Sequence, residues 1–136
     1  MNSFRLKIVT PYGMVYDGQA EELIVRTTTG DLGILAGHIN CVAPLGMGQA
    51  VIIIDGQRKT AACIGGMLSV VNGVATLVPT TFEWAEDIDA ERAAASEQRA
   101  KTVLADKNNS KTDLRLAEAR LKRALVRKNV AAQRIR

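Results

Sequence analysis

Val51-Ile52-Ile53-Ile54-Asp55-Gly56-Gln57-Arg58-Lys59-Thr60 reads as two strands joined at a single tight turn. The aliphatic run is β-branched throughout, the residues beyond Gly56 mix polar with apolar, and an Asp-Gly pair accepts the positive φ angles of a type I′ hairpin turn. Asn72-Gly73 repeats the arrangement between Met67 to Val71 and Val74 to Val78. Working outward, Phe4, Leu6 and Ile8 alternate with Arg5 and Lys7, the period of a half-buried strand. Glu22 to Arg26, Gln49 to Ile54 and Gln57 to Ile64 complete the strand candidates. Short strands with turn signals at close intervals predict an antiparallel sandwich or barrel of roughly 80 residues.

Beyond about residue 85 the composition changes. All 11 glycines lie at or before Gly73, all 3 prolines at or before Pro79, and every aromatic at or before Trp84. From Ala90 onward Ala, Glu, Lys, Arg and Leu dominate, a strongly helix-favouring mixture. Asp106-Lys107-Asn108-Asn109-Ser110 interrupts it, and Ser110 with Asp113 resembles a helix start. The spacing predicts helices over 89–105 and 111–133, and domains of 1–85 and 86–136. Leu114, Ala117, Leu121, Ala124 and Leu125 form a narrow seam on the second helix, facing Ala93, Ala94, Ala100, Val103 and Leu104 of the first. At roughly 25 cal/mol per Å² an alanine-rich seam contributes little burial, so the hairpin is expected to open or dock conditionally.

A chain of 136 residues accommodates one small domain plus an appendage, which excludes a large enzyme. The uncharged stretches 32–54 and 60–82 are broken by Gly, Pro and Asn and do not read as membrane spans, and Met1 to Thr10 lacks a signal-peptide apolar block. A cytosolic setting is the expectation. Cys41 and Cys63 then read as small buried apolar residues, since one histidine supplies too few ligand types for a metal site. The net charge of +4 conceals −3 over residues 1–87 and +7 over 88–136, so the C-terminal part is expected to meet an anionic partner.

Catalytic motifs are missing. Gly30-Asp31-Leu32-Gly33 continues into Ile34-Leu35 where a phosphate-binding loop needs Lys, so Gly30, Gly33 and Gly37 read as turn positions with positive φ. His38 has no neighbouring Cys or acid in the sequence and no nucleophile elbow accompanies it, which makes it a turn or interface residue. Arg120, Arg123 and Arg127 share one helix face: either a solvated basic surface, with Asp89 as a simple N-cap, or a guanidinium fork for oxyanions. Spacing leaves both readings open.

Four segments together resemble the epsilon subunit of bacterial F-type rotary ATP synthases over nearly the whole chain. They are Gly30-Asp31-Leu32-Gly33-Ile34-Leu35-Ala36-Gly37-His38, Pro44-Leu45, Gly65-Gly66-Met67-Leu68-Ser69-Val70, and Ala85-Glu86-Asp87-Ile88-Asp89-Ala90-Glu91-Arg92-Ala93. Ala36 departs from the family's usual Pro before Gly-His, a change that loosens that turn. The resemblance implies a ten-stranded antiparallel β-sandwich followed by a two-helix antiparallel hairpin. It further implies a non-catalytic rotor subunit of the proton-translocating enzyme, peripheral at the cytoplasmic face of the plasma membrane. The sandwich would bind the gamma subunit and the c ring, with a loop bearing Asp31 facing the ring and His38 near both contacts. The hairpin, extended into the alpha/beta catalytic head, would oppose ATP hydrolysis.

Ile88-Asp89-Ala90-Glu91-Arg92-Ala93 and Lys122-Arg123-Ala124-Leu125-Val126-Arg127 also resemble the elements with which bacillus-like members bind ATP on the folded hairpin. Carried over, Asp89 would accept from the adenine amino group or orient Arg92, and Arg92, Arg123 and Arg127 would meet the phosphates. Ile88 and Ala93 belong to the same motif, and Glu83 and Arg99 resemble further pocket positions. ATP, with or without Mg²⁺, would be an effector and not a substrate. The rival reading, a basic nucleic-acid-binding module, rests on the +7 segment, but the second helix has no aromatic to stack a base and no DNA-binding motif, so no nucleic-acid partner is expected.

Overall fold

A computed structural model describes residues 2–133, which divide into two compact units with the boundary between Trp84 and Ala85. The first contains β1 (Phe4–Thr10), β2 (Gly13–Ala20), β3 (Glu22–Thr27), β4 (Gly30–Leu35), β5 (Cys41–Pro44), β6 (Met47–Ile54), β7 (Gln57–Ile64), β8 (Met67–Val71), β9 (Val74–Val78) and β10 (Thr81–Trp84). Two five-stranded sheets result, ordered β2-β1-β9-β8-β5 and β10-β7-β6-β3-β4.

Alternation explains which faces meet. Phe4, Leu6 and Ile8 of β1, Leu68 and Val70 of β8, and Leu77 of β9 are buried from one sheet, against Leu23 and Val25 of β3 and Ile52 of β6 from the other. Their polar neighbours face outward, as the two-residue period requires. Both anticipated hairpins form: Asp55 and Gly56 have φ of 51° and 76°, and Asn72 and Gly73 have 50° and 80°. The Glu21 carboxylate ties the first turn down by accepting from the backbone N–H of Asp55 at 3.1 Å and Gly56 at 2.8 Å.

Several expectations need correction. The sandwich is not wholly antiparallel, because β1 runs parallel to β9 with Leu6 opposite Ala75. Gly30 and Gly37 do have positive φ, but Gly33 is an ordinary extended residue inside β4, opposite Ile24. Cys63 is buried in the core, which pushes its thiol pKa up to about 12, whereas Cys41 is only half-buried.

The second unit opens with a single 3-10 turn, Ala85–Asp87, then α1 (Ala90–Ala105) and α2 (Lys111–Ala131). Asp89 caps α1, its Oδ1 accepting from Arg92 N–H at 3.0 Å, and Ser110 Oγ caps α2 by accepting from Asp113 N–H at 3.1 Å. Each satisfies an orphan donor of the first turn. The polar link between the helices is held by its asparagines: Asn109 Nδ2 donates to Val103 O, and Asn108 N–H to Asp106 Oδ1, both at 3.0 Å. α2 ends at Ala131, two residues short of its expected end, and expectations for 134–136 fall outside the described residues.

The seam between the helices is narrower than the spacing implied. Ala93, Ala100, Ala117 and Ala124 are buried, but Ala94 is exposed and Leu125 is 36% exposed, so neither belongs to it. The position that sequence reasoning missed is Glu97, buried between Ala93 and Ala100.

Candidate functional site

Glu97 sets the register of the hairpin. Lys128 Nζ of α2 lies 3.0 Å from its Oε1 and 3.4 Å from its Oε2, and Lys101 Nζ approaches Oε2 at 3.8 Å. The hydrogen bond from Lys128 holds the Glu97 carboxyl below the usual carboxylate range, against an opposing contribution from burial. A depressed folded-state pKa gives stability that is present above the unfolded value and lost as the pH falls through the folded one. The clamp therefore operates at neutral pH and weakens in acid.

With Glu97 level with Lys128, each step along α1 toward the link matches one step back along α2. Arg127 then lies near Ser96 and Arg99, Arg123 follows, and Arg120 lies closest to the link. These side chains line one cleft of about 430 Å³: Arg99 from α1 and Arg120, Arg123 and Arg127 from α2, over an apolar floor of Ala100, Val103 and Ala117. Small floor residues are what let the long guanidinium arms fold over the groove. Arg123 and Arg127 are half-buried, and Arg99 and Arg120 exposed. Among the described residues Arg99, Arg120 and Arg123 make no ion pair, and the lining contains no carboxylate.

Like charges at i,i+4 cost an isolated helix about 0.2–0.5 kcal/mol, so the spacing of Arg123 and Arg127 does not favour α2 by itself. Forked guanidiniums bind phosphate oxygens in bidentate fashion. The cleft lining is strongly cationic.

The remaining expected positions are distributed elsewhere. Arg92 does not line the cleft but lies two turns before Arg99 on the same face of α1, so it extends the same line of charge. Asp89 is exposed with one oxygen engaged in capping, while Ile88 and Ala93 are buried. Glu83 is on β10 in the first unit, in register with Ala62 of β7. Asp31 lies within strand β4 and not in a loop, its Oδ1 paired with Arg26 Nε at 2.7 Å. His38 closes the turn after β4 by donating its N–H to Leu35 O at 3.1 Å. Its Nδ1 is 2.8 Å from Ile39 O and 3.9 Å from Cys41 Sγ, the cysteine neighbour that sequence order concealed. Leu35, Ile39 and Val42, 56–78% exposed, surround that turn in sequence and present apolar surface.

No helix of the described residues is long and apolar enough to cross a membrane, and no group of three or more His, Cys, Asp or Glu among them could hold a metal ion.

The fold defines the class: a two-sheet sandwich followed by a helical hairpin with an arginine-lined cleft. Residues 3–85 match the family model for the ATP synthase delta/epsilon chain β-sandwich domain, and residues 86–132 the model for its long α-helix domain. The chain belongs to the ATP synthase delta/epsilon chain family, and its relatives place it with the bacterial epsilon chains. It is 46% identical to the ATP synthase epsilon chain of Bacillus velezensis, covering 96% of this chain and 98% of that one. Against that of Caldanaerobacter subterraneus the identity is 42%, covering 96% and 95%. The fold is also that of a chain in the Euglena gracilis mitochondrial ATP synthase, with a TM-score of 0.83 at 21% identity over 97% of this chain and 82% of that one.

Proposed function

We propose that this chain is a non-catalytic rotor subunit of a proton-translocating ATP synthase, and that its hairpin is a regulatory element closed by ATP. The single observation that carries the regulatory part is the convergence of four guanidiniums on one cleft between α1 and α2. A ligand that bridges two helices binds only when they are packed together, so it stabilises the folded hairpin by mass action. When the nucleotide leaves, the hairpin loses that stabilisation, and the freed basic helices oppose ATP hydrolysis by seeking acidic surfaces of the alpha/beta head. Any Mg²⁺ arrives on the nucleotide, since the cleft lining offers it no carboxylate.

The sandwich is the permanent coupling. A chain of the same fold, with a TM-score of 0.66 at 12% identity over 93% of this chain and 95% of that one, occurs in the central stalk and c ring of the Tetrahymena thermophila mitochondrial ATP synthase. By analogy the gamma subunit and the c ring are the partners here, at the cytoplasmic face of the plasma membrane. Exposed Leu35, Ile39 and Val42, with Asp31 and His38, supply an apolar, weakly polar contact face of the kind that protein partners cover.

Calorimetric titration of the full chain with ATP tests the regulatory part. ATP binds without being hydrolysed, Arg123→Ala weakens it at least tenfold, and Arg92→Ala weakens it less, because Arg92 lies outside the cleft. Unchanged affinity in both variants would falsify the assignment.

A further inference from the structure

Glu97 is the only charged residue among the buried residues described, and it sits in a seam whose other buried members are Ala93, Ala100, Ala117, Ala124, Val130 and Ala131. Methyl groups bury little area, so packing alone holds the two helices weakly. The link between Ala105 and Lys111 joins them at one end only. Away from it, Lys128 in the last turn of α2 reaches back to Glu97, with both carboxylate oxygens within 3.4 Å of its Nζ. Lys101 also approaches Glu97, at 3.8 Å, but from the same helix, so it does not join the two.

The pair is asymmetric: the Glu97 side chain is 9% exposed and that of Lys128 51%. An ionised carboxylate is buried at low cost only while a cation pairs with it, and taking away one partner of such a pair is far more disruptive than taking away both. With the helices apart, water solvates Glu97 and no pairing is required. The closed hairpin therefore depends on Lys128 being in place, and the open one does not.

We infer that the Glu97–Lys128 pair is a ligand-independent latch, which holds α1 against α2 when the arginine cleft is empty and so sets the balance between closed and open hairpin on which a nucleotide acts. This rests on the reading above in taking the hairpin to open.

Amide hydrogen exchange of the full chain without nucleotide tests the latch, in the natural chain, Lys128→Gln, Glu97→Gln, the double variant and Lys122→Gln. Lys122 is the control, because its Nζ pairs at 3.7 Å with the exposed Glu118 of the same helix and joins nothing across the seam. Separated helices lose the packing that gives protein helices most of their stability, so opening reads as faster exchange along both. Lys128→Gln is expected to speed exchange of α1 and α2 at least tenfold, and Lys122→Gln less than threefold. In the Glu97→Gln background no buried charge is left to be orphaned, so adding Lys128→Gln is expected to change the rate less than threefold. That arm also absorbs what Lys128 gives α2 alone as a cation near the negative end of its dipole. A tenfold loss of protection in both backgrounds, or in neither, overturns the latch. ATP hydrolysis by the assembled synthase separates it from the inhibitory reading: Lys128→Gln is expected to lower hydrolysis, and if exchange rises as stated while hydrolysis is unaltered, the latch stands and the inhibitory reading falls.

Discussion

Gly66→Ala unfolds the sandwich or lowers its melting temperature by about 15 °C or more. Gly66 has φ of +96°, a conformation that L side chains rarely adopt, and a Cβ there would fall onto the carbonyl oxygen of Val78 and within 2.7 Å of Pro79 Cα. Both obstacles are backbone, so no side chain can swing aside. The dihedral strain alone costs about 1–3 kcal/mol. Displacing the strand end after β9 adds to it, for a total on the order of 4 kcal/mol, within the range that marks an exceptional single mutation. A domain of this size melts about 4–8 °C lower per kcal/mol. Gly33→Ala supplies the contrast: its Cβ would meet nothing within 4 Å and its φ is ordinary, so the melting temperature should move by no more than a few degrees. Differential scanning calorimetry of both variants decides it, and equal stability for the two would contradict the close approach at Gly66.

Ala124→Leu opens the hairpin and leaves the sandwich intact. Ala124 is 1% exposed and Ala117 0%, so the helices approach over methyl groups with no room for an isobutyl side chain. Overpacking of this kind costs about 1–3 kcal/mol. The seam has little burial with which to absorb that, since its members are alanines and half-buried Leu114 and Leu121. Among the described residues the core cluster of the first unit is built from Phe4 to Trp84, so it should not respond. Limited trypsin digestion is expected to cut the variant hairpin at least tenfold faster and leave a resistant fragment covering the sandwich. Cleavage at the natural rate would show that the seam is looser than its burial implies.

Much of this was legible in local sequence. Asp55-Gly56 and Asn72-Gly73 specify their own turns, and Asp89 and Ser110 their own helix starts, because the responsible interactions span only a few residues. The β1–β9 pairing was not legible: it joins Leu6 to Ala75, and nothing in either strand records the partner. Strands β2, β4, β5 and β10 came only from the family resemblance, for most of their residues are half-buried or exposed and alternate weakly. On the hairpin, a lone Glu97 among alanines reads as solvent-facing until Lys128, 31 residues away, is seen beside it. The arginine fork itself was visible in the 3 to 4 spacing of Arg120, Arg123 and Arg127. Spacing could not show that Arg99 completes a cleft with them while Arg92 stays outside.

Amide hydrogen exchange of the full chain, with and without saturating ATP, tests the closing of the hairpin by nucleotide most directly. A ligand at 100 times its Kd stabilises what it binds by about 2.7 kcal/mol, so exchange across α1 and α2, residues 90–131, should slow by up to about a hundredfold while the sandwich strands remain unchanged. Exchange in α1 and α2 that does not respond to ATP, or that slows equally in both units, would contradict an ATP-closed hairpin.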